Sequence, residues 1–157
     1  MITGKIINEK QGNPLVNQLI FESKNMQLYY LPKELLIANK FLPKRIYMNK
    51  KFISVFEKWM YKLLEENLID EIKTFDGCFN VRNMRGLKSL SIHAYGLAVD
   101  FNARQNPLGL SFQQCIKKGL LPFSEEFIKV SNEFVDCGAM WKNRTDGMHF
   151  QLKKEDL

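Results

Sequence analysis

The sequence predicts an α+β fold, in which helices flank a small and mainly antiparallel sheet. One long stretch, from Lys51 to Leu68, carries apolar residues at three- and four-residue intervals, the period of a helix with a buried face. Two short stretches, Leu97 to Asn102 and Met148 to Leu152, alternate instead, as strands do. Helix and strand signals follow one another without the strand–helix–strand rhythm that builds a parallel sheet.

The elements follow in order. Residues 1–45 read as an irregular N-terminal arm packed on the domain. Gly12-Asn13-Pro14 marks a turn, and Leu31-Pro32 and Leu42-Pro43 restrict the backbone again. Between these breaks, Met26 to Tyr30 has the make-up of a short strand. Residues 46–157 then form the core of a single domain. Its first helix presents Phe52, Val55, Phe56, Trp59, Met60, Leu63 and Leu64 on one side, with Trp59 as a core residue. Asp76-Gly77 reads as a turn, and Asn106-Pro107-Leu108-Gly109 closes the strand at 97–102. A second helix starts at Ser124, an N-cap followed by Glu125 and Glu126 at the positive end of the helix dipole. It would bury Phe127, Ile128, Val130, Phe134 and Val135, and end at Gly138. The last strand directs Met148, Phe150 and Leu152 into the core and His149 away from it.

Composition narrows the function classes. A chain of 157 residues with 45% apolar and 25% charged residues has the proportions of a globular domain. With 12 Phe, 5 Tyr and 2 Trp it has the aromatic surface for a core, which excludes disorder over most of its length. No apolar run approaches the ~18 residues of a membrane span. The first ten residues lack the apolar region of a secretory signal, so synthesis in the cytoplasm is expected. The formal charge of +6 suits an anionic partner. Its lysines are scattered in pairs, however, and no nucleic-acid-binding module is visible, so no specific nucleic acid is expected as a partner. Cys78, Cys115 and Cys137 are odd in number and widely spaced, which suits reduced, buried thiols. Nothing in the sequence points beyond a monomer.

The chemistry concentrates around the two histidines of the chain. His93 lies in Ser91-Ile92-His93-Ala94-Tyr95-Gly96-Leu97-Ala98-Val99-Asp100. Along a strand, Gly96, Ala98 and Asp100 share one face, so two tiny residues lead to a carboxylate, while Leu97, Val99 and Phe101 face the core. Gly96 allows the sharp turn that brings His93 over Asp100. His149, preceded by Asp146-Gly147, sits on the non-core side of the last strand. Two His and one Asp form a nitrogen/oxygen set of three, which leaves a fourth tetrahedral position free, as in catalytic rather than structural zinc sites.

The string Ser-x-His-x-x-Gly-x-Ala-x-Asp, followed by Asp-x-x-His, resembles the zinc peptidase family of D-alanyl-D-alanine carboxypeptidases and L-alanyl-D-glutamate endopeptidases, which cut bacterial peptidoglycan peptides. The matching residues are Ser91, His93, Gly96, Ala98 and Asp100, then Asp146 and His149. The resemblance extends through Asp76-Gly77-Cys78-Phe79, the segment Arg82 to Gly86, Asn102, Asn106 and Trp141, and is greatest to the single-domain bacteriophage endolysin branch. It implies a Hedgehog/D-Ala-D-Ala-peptidase-like fold and a zinc peptidase catalytic core over residues 46–157. It also implies Zn²⁺ held by His93, Asp100 and His149, with Asp146 as the catalytic carboxylate. An arginine, Arg82 or Arg85, would face the developing oxyanion. Ser91 would contact the substrate or steady a metal-bound imidazole, and Tyr95 and Trp141 are candidates to line the substrate groove. Two positions depart from the family pattern. Gln151 stands where a Glu usually follows His-Phe, and Lys142-Asn143 replaces a glycine pair after the Trp.

The expected substrate is therefore a peptidoglycan peptide, cut most naturally as an L-alanyl-D-glutamate endopeptidase would cut it. Removal of terminal D-Ala by a D,D-carboxypeptidase is the alternative within the class. A non-catalytic wall- or protein-binding module, as in the resembling domains of animal Hedgehog proteins, is the alternative outside it. On this reading the protein is made in the cytoplasm of a bacterial host and acts on the cell wall.

Overall fold

The helix read from the apolar stripe organises the molecule. In the computed structural model, which describes residues 1–157, it spans Lys50–Glu65, and it buries Phe52, Phe56, Trp59, Met60 and Leu63. Asn49 caps its start by accepting from the Lys51 N–H at 3.1 Å. Trp59 and Phe56 pack on Phe101, and Trp59 also meets Phe150 at a ring separation of 5.1 Å. The indole N–H donates to Ser131 at 2.9 Å, so the one polar atom of this buried ring is satisfied.

Numbered in chain order, the strands are β1 (Met26–Tyr30), β2 (Arg45–Asn49), β3 (Phe75–Gly77), β4 (Ala98–Phe101), β5 (Val135–Cys137) and β6 (His149–Leu152). The helices are α1 (Gly4–Gln11), α2 (Gln18–Asn25), α3 (Lys33–Ala38), α4 (Lys50–Glu65), α5 (Phe112–Lys117) and α6 (Glu125–Ser131). β1 and β2 form an antiparallel pair, and the remaining strands form an antiparallel sheet in the order β3-β4-β6-β5. The α+β class is as the sequence predicts. No helix is long and apolar enough to cross a membrane.

Three local expectations are corrected. The first 45 residues are not irregular, because α1, α2, β1 and α3 occupy much of them and place Ile7, Phe21, Met26 and Leu35 in the core. Each of these helices is too short to show a helical period in the sequence; α1 and α2 are instead anchored by side-chain caps, Thr3 and Asn17. The Asp76-Gly77 step belongs to β3, where Gly77 (φ 135°) accommodates an irregular register against β4. The helix capped by Ser124 ends at Ser131, and Val135 turns into β5, so Gly138 does not terminate it.

Gly138 has a different reason to be glycine. The Asp146 backbone lies directly on it: Asp146 N–H donates to the Gly138 carbonyl at 2.9 Å, and a Cβ there would collide with the Asp146 carbonyl oxygen and Cβ. Gly138→Ala is therefore expected to push the Asp146 segment outward. Thermal unfolding should show a loss of about 1–3 kcal/mol, the usual cost of forcing atoms into a packed site. The wild-type melting temperature in this variant would count against so close a packing.

Candidate metal centre and cleft

Each residue of the candidate site is placed by a separate piece of local structure. Ser91 caps a single 3₁₀ turn, Ile92–Tyr95, by accepting the His93 N–H at 3.3 Å. Gly96 ends that turn in the left-handed region (φ 66°) and sends the chain into β4. The turn is clamped from the N-terminal side: Asn49 donates its side-chain amide to the Tyr95 carbonyl at 2.9 Å and its backbone N–H to the Gly96 carbonyl at 3.0 Å. A Cβ at Gly96 would come within 2.9 Å of the Asn49 nitrogen, so this approach requires glycine. Asp100 on β4 and His149 on β6 are cross-strand partners in register. Antiparallel pairing thus brings together residues 49 positions apart in the chain.

The result is a compact triangle. His93 Nε2 lies 3.1 Å from Asp100 Oδ1 and 3.2 Å from His149 Nδ1, and His149 Nδ1 lies 3.1 Å from the same Asp100 oxygen. Both outer ring nitrogens have acceptors. His93 Nδ1 donates to the Cys78 carbonyl at 2.7 Å, and His149 Nε2 donates to Gln151 Oε1 at 2.9 Å. With their protons held outside, both imidazoles turn bare nitrogen lone pairs inward on a carboxylate oxygen. Three acceptors this close repel one another unless a cation sits among them. With no cation among them, a proton taken up at an inward nitrogen would be donated to Asp100: burial alone would raise the Asp100 pKa, but such hydrogen bonds from His149 and His93 outweigh it and hold the carboxyl well below the usual range. At His149 burial opposes the charged form, and the Asp100 contact outweighs it and raises the pKa. The set draws positive charge toward its centre.

The residues fit a bound metal. Their ligand atoms lie within 4.8 Å of one another, and the separations of 3.1–3.2 Å are close to the about 3.3 Å that tetrahedral zinc with ~2.0 Å bonds imposes. The outer contacts are those that orient metal-ligating histidines.

The triangle opens into a cleft of about 110 Å³ lined by Arg82, Arg85, Ser91, Trp141, Arg144 and Asp146. Asp146 stands outside the ligand triangle. Burial raises its pKa, partly offset by His149, and its Oδ1 is buried without a hydrogen-bond partner. A carboxylate in that condition has a vacant acceptor for a proton from a group in the cleft. Trp141 forms a wall, its ring 5.4 Å from that of His149. Arg82 is half-buried, with one guanidinium nitrogen 3.1 Å from the Asn83 carbonyl, and Arg85 is exposed.

Tyr95 is not brought to this cleft. Its ring is fully buried against Phe21, and its hydroxyl donates to Asn8 Oδ1 at 2.8 Å, which ties the turn that carries His93 to α1. Arg144 was not visible as a site residue in the sequence. Its guanidinium donates to the Arg85 carbonyl at 2.6 Å and bridges the two loops of the cleft. Asn102 and Asn106 serve as loop braces. Asn102 accepts from the N–H groups of Lys73 and Thr74, and Asn106 accepts from that of Phe123.

A family model described as D-alanyl-D-alanine carboxypeptidase matches residues 85–152. The chain is similar to that family over this segment. The matched residues include Arg85, Ser91, all three members of the triangle, Trp141 and Asp146, whereas Arg82 lies just outside. No curated protein and no solved structure gives a significant match.

Proposed function

We propose that this protein is a zinc-dependent peptidase of the bacterial cell wall, endolysin-like, that hydrolyses the L-alanyl-D-glutamate bond of peptidoglycan peptides. One observation carries the reading: two inward imidazole nitrogens and a carboxylate oxygen converge beside a second carboxylate that belongs to none of them. When bound by His93, Asp100 and His149, Zn²⁺ supplies Lewis acidity and lowers the pKa of water to about 7. Asp146 takes a proton from the attacking water as its oxygen bonds to the scissile carbonyl carbon. It returns that proton to the leaving nitrogen as the C–N bond breaks, giving an amine and a carboxylic acid, which then releases its proton to solvent to become a carboxylate. The negative charge that develops on the carbonyl oxygen is met by a guanidinium from Arg85 or Arg82. Trp141 walls the cleft, and Ser91 holds the His93 turn.

The description of the matching family favours a second reading, a D,D-carboxypeptidase that removes terminal D-Ala. Mass spectrometry of purified peptidoglycan after digestion separates the two. A new amino terminus at D-Glu is expected, loss of one D-Ala would transfer the assignment to the carboxypeptidase, and no cleavage would leave a binding module. The arginines are tested in parallel. Arg85→Ala is expected to lower kcat more than it raises KM, since the contact strengthens in the transition state, and by about 10²–10³-fold, as for other oxyanion donors. Small and equal effects in Arg85→Ala and Arg82→Ala would remove this part of the mechanism.

A further inference from the structure

The segment that matches the family begins at residue 85, yet residues upstream of it build a wall beside the cleft. A groove of about 840 Å³ runs between α1 and the loops that carry Lys88 and Arg144. It adjoins the cleft, since Met84, Trp141, Arg144 and Gln151 line both. Its α1 wall is fixed relative to the metal centre, because Ile7 is fully buried and Asn8 and Gly4 accept the hydroxyl of Tyr95, two residues from His93. Lys5, Lys88 and Arg144 stand in it against a single carboxylate, Glu9.

We propose that this groove is the second half of the substrate site and takes an acidic stretch of the substrate peptide. Arg144 meets a carboxylate at the junction with the cleft, and Lys5 and Lys88 meet the charge beyond it. Continuity with the cleft gives the path, and the excess of cations gives the chemical class of the occupant. The inference rests on the peptidase reading above.

The test measures binding and cutting separately. The probes are N-acetyl-L-Ala-D-Glu, which carries two carboxylates and no ammonium group, and the same peptide with its glutamate side chain amidated. Binding to zinc-loaded protein carrying Asp146→Asn is followed by calorimetry, with and without Lys5→Glu plus Lys88→Glu, and with and without Arg144→Gln. Both lysines are exposed, so charge reversal leaves the packing intact. Each set is expected to weaken the acidic peptide by about tenfold or more, and the amidated peptide by less. An unchanged Kd for the acidic peptide in the charge-reversed protein, or equal losses for both peptides, would overturn the groove assignment. Failure of the unsubstituted protein to cut any wall peptide would instead overturn the peptidase reading, and it is scored on its own.

Discussion

His149→Ala is expected to lose the metal and the activity together. The substitution removes one of three ligand atoms held 3.1–3.2 Å apart and leaves two, which hold zinc poorly. Affinity should fall by well over the ~10–100-fold that loss of an outer hydrogen-bond partner costs. Zinc content after dialysis and the rate of peptide hydrolysis should both drop to background, while circular dichroism keeps the wild-type shape. Full zinc occupancy in this variant would mean that the triangle is not the metal site. In the unsubstituted protein, a chelator should abolish hydrolysis and added zinc should restore it.

Asp146→Asn is expected to separate what His149→Ala joins. Asp146 lies outside the triangle, so zinc stoichiometry should stay at the wild-type level. Turnover should fall by ~10²–10⁴-fold, the usual contribution of general acid–base catalysis. Stability runs the other way. Burial raises the Asp146 pKa, so the folded state disfavours its charge, and above that pKa the ionised side chain costs stability. The amide removes that cost, and thermal stability at neutral pH should hold or rise. In the metal-free protein the Asp146 side chain should accordingly titrate with its midpoint above the ordinary carboxyl value of 3.8, which NMR titration of the carboxyl group checks. Near-normal turnover in Asp146→Asn would refute the role of proton carrier, and lost zinc would make Asp146 a ligand.

The sequence made the two central strands of the sheet, β4 and β6, and the main helix legible because their signals are periodic. Sixteen residues of α4 repeat the apolar interval often enough to be unmistakable, and Val99, Phe101 and Phe150 mark the covered face of the sheet. Of the short helices only α6 was legible, through its Ser124 cap and the acidic residues after it; α3 and α5 span six residues each and their positions follow from contacts made far along the chain. The site divides in the same way. The motif spacing brought out His93, Asp100, Asp146 and His149, whose chemistry is carried by residue type. Tyr95 and Arg144 could not be placed from residue type, because the difference between a core brace and a groove wall is decided by α1 and by the loop from 141 to 146. The one available signal for Arg144 was a cation two residues before Asp146, a weak one without a structure.

The two outer contacts of the histidines differ in how open they are to substitution: one is made by the main chain, the other by a side chain. His93 leans on the Cys78 main-chain carbonyl, which every residue at position 78 supplies, so that half of the centre is indifferent to mutation as long as the backbone keeps its path. His149 leans on a side chain, that of Gln151, and a single base change turns a glutamine codon into a glutamate codon. A carboxylate there would make the imidazole a stronger donor to the metal. Substitution at position 151 is therefore a way to retune a metal bound by this triangle without rebuilding the fold, since it changes a side-chain contact and leaves the backbone in place.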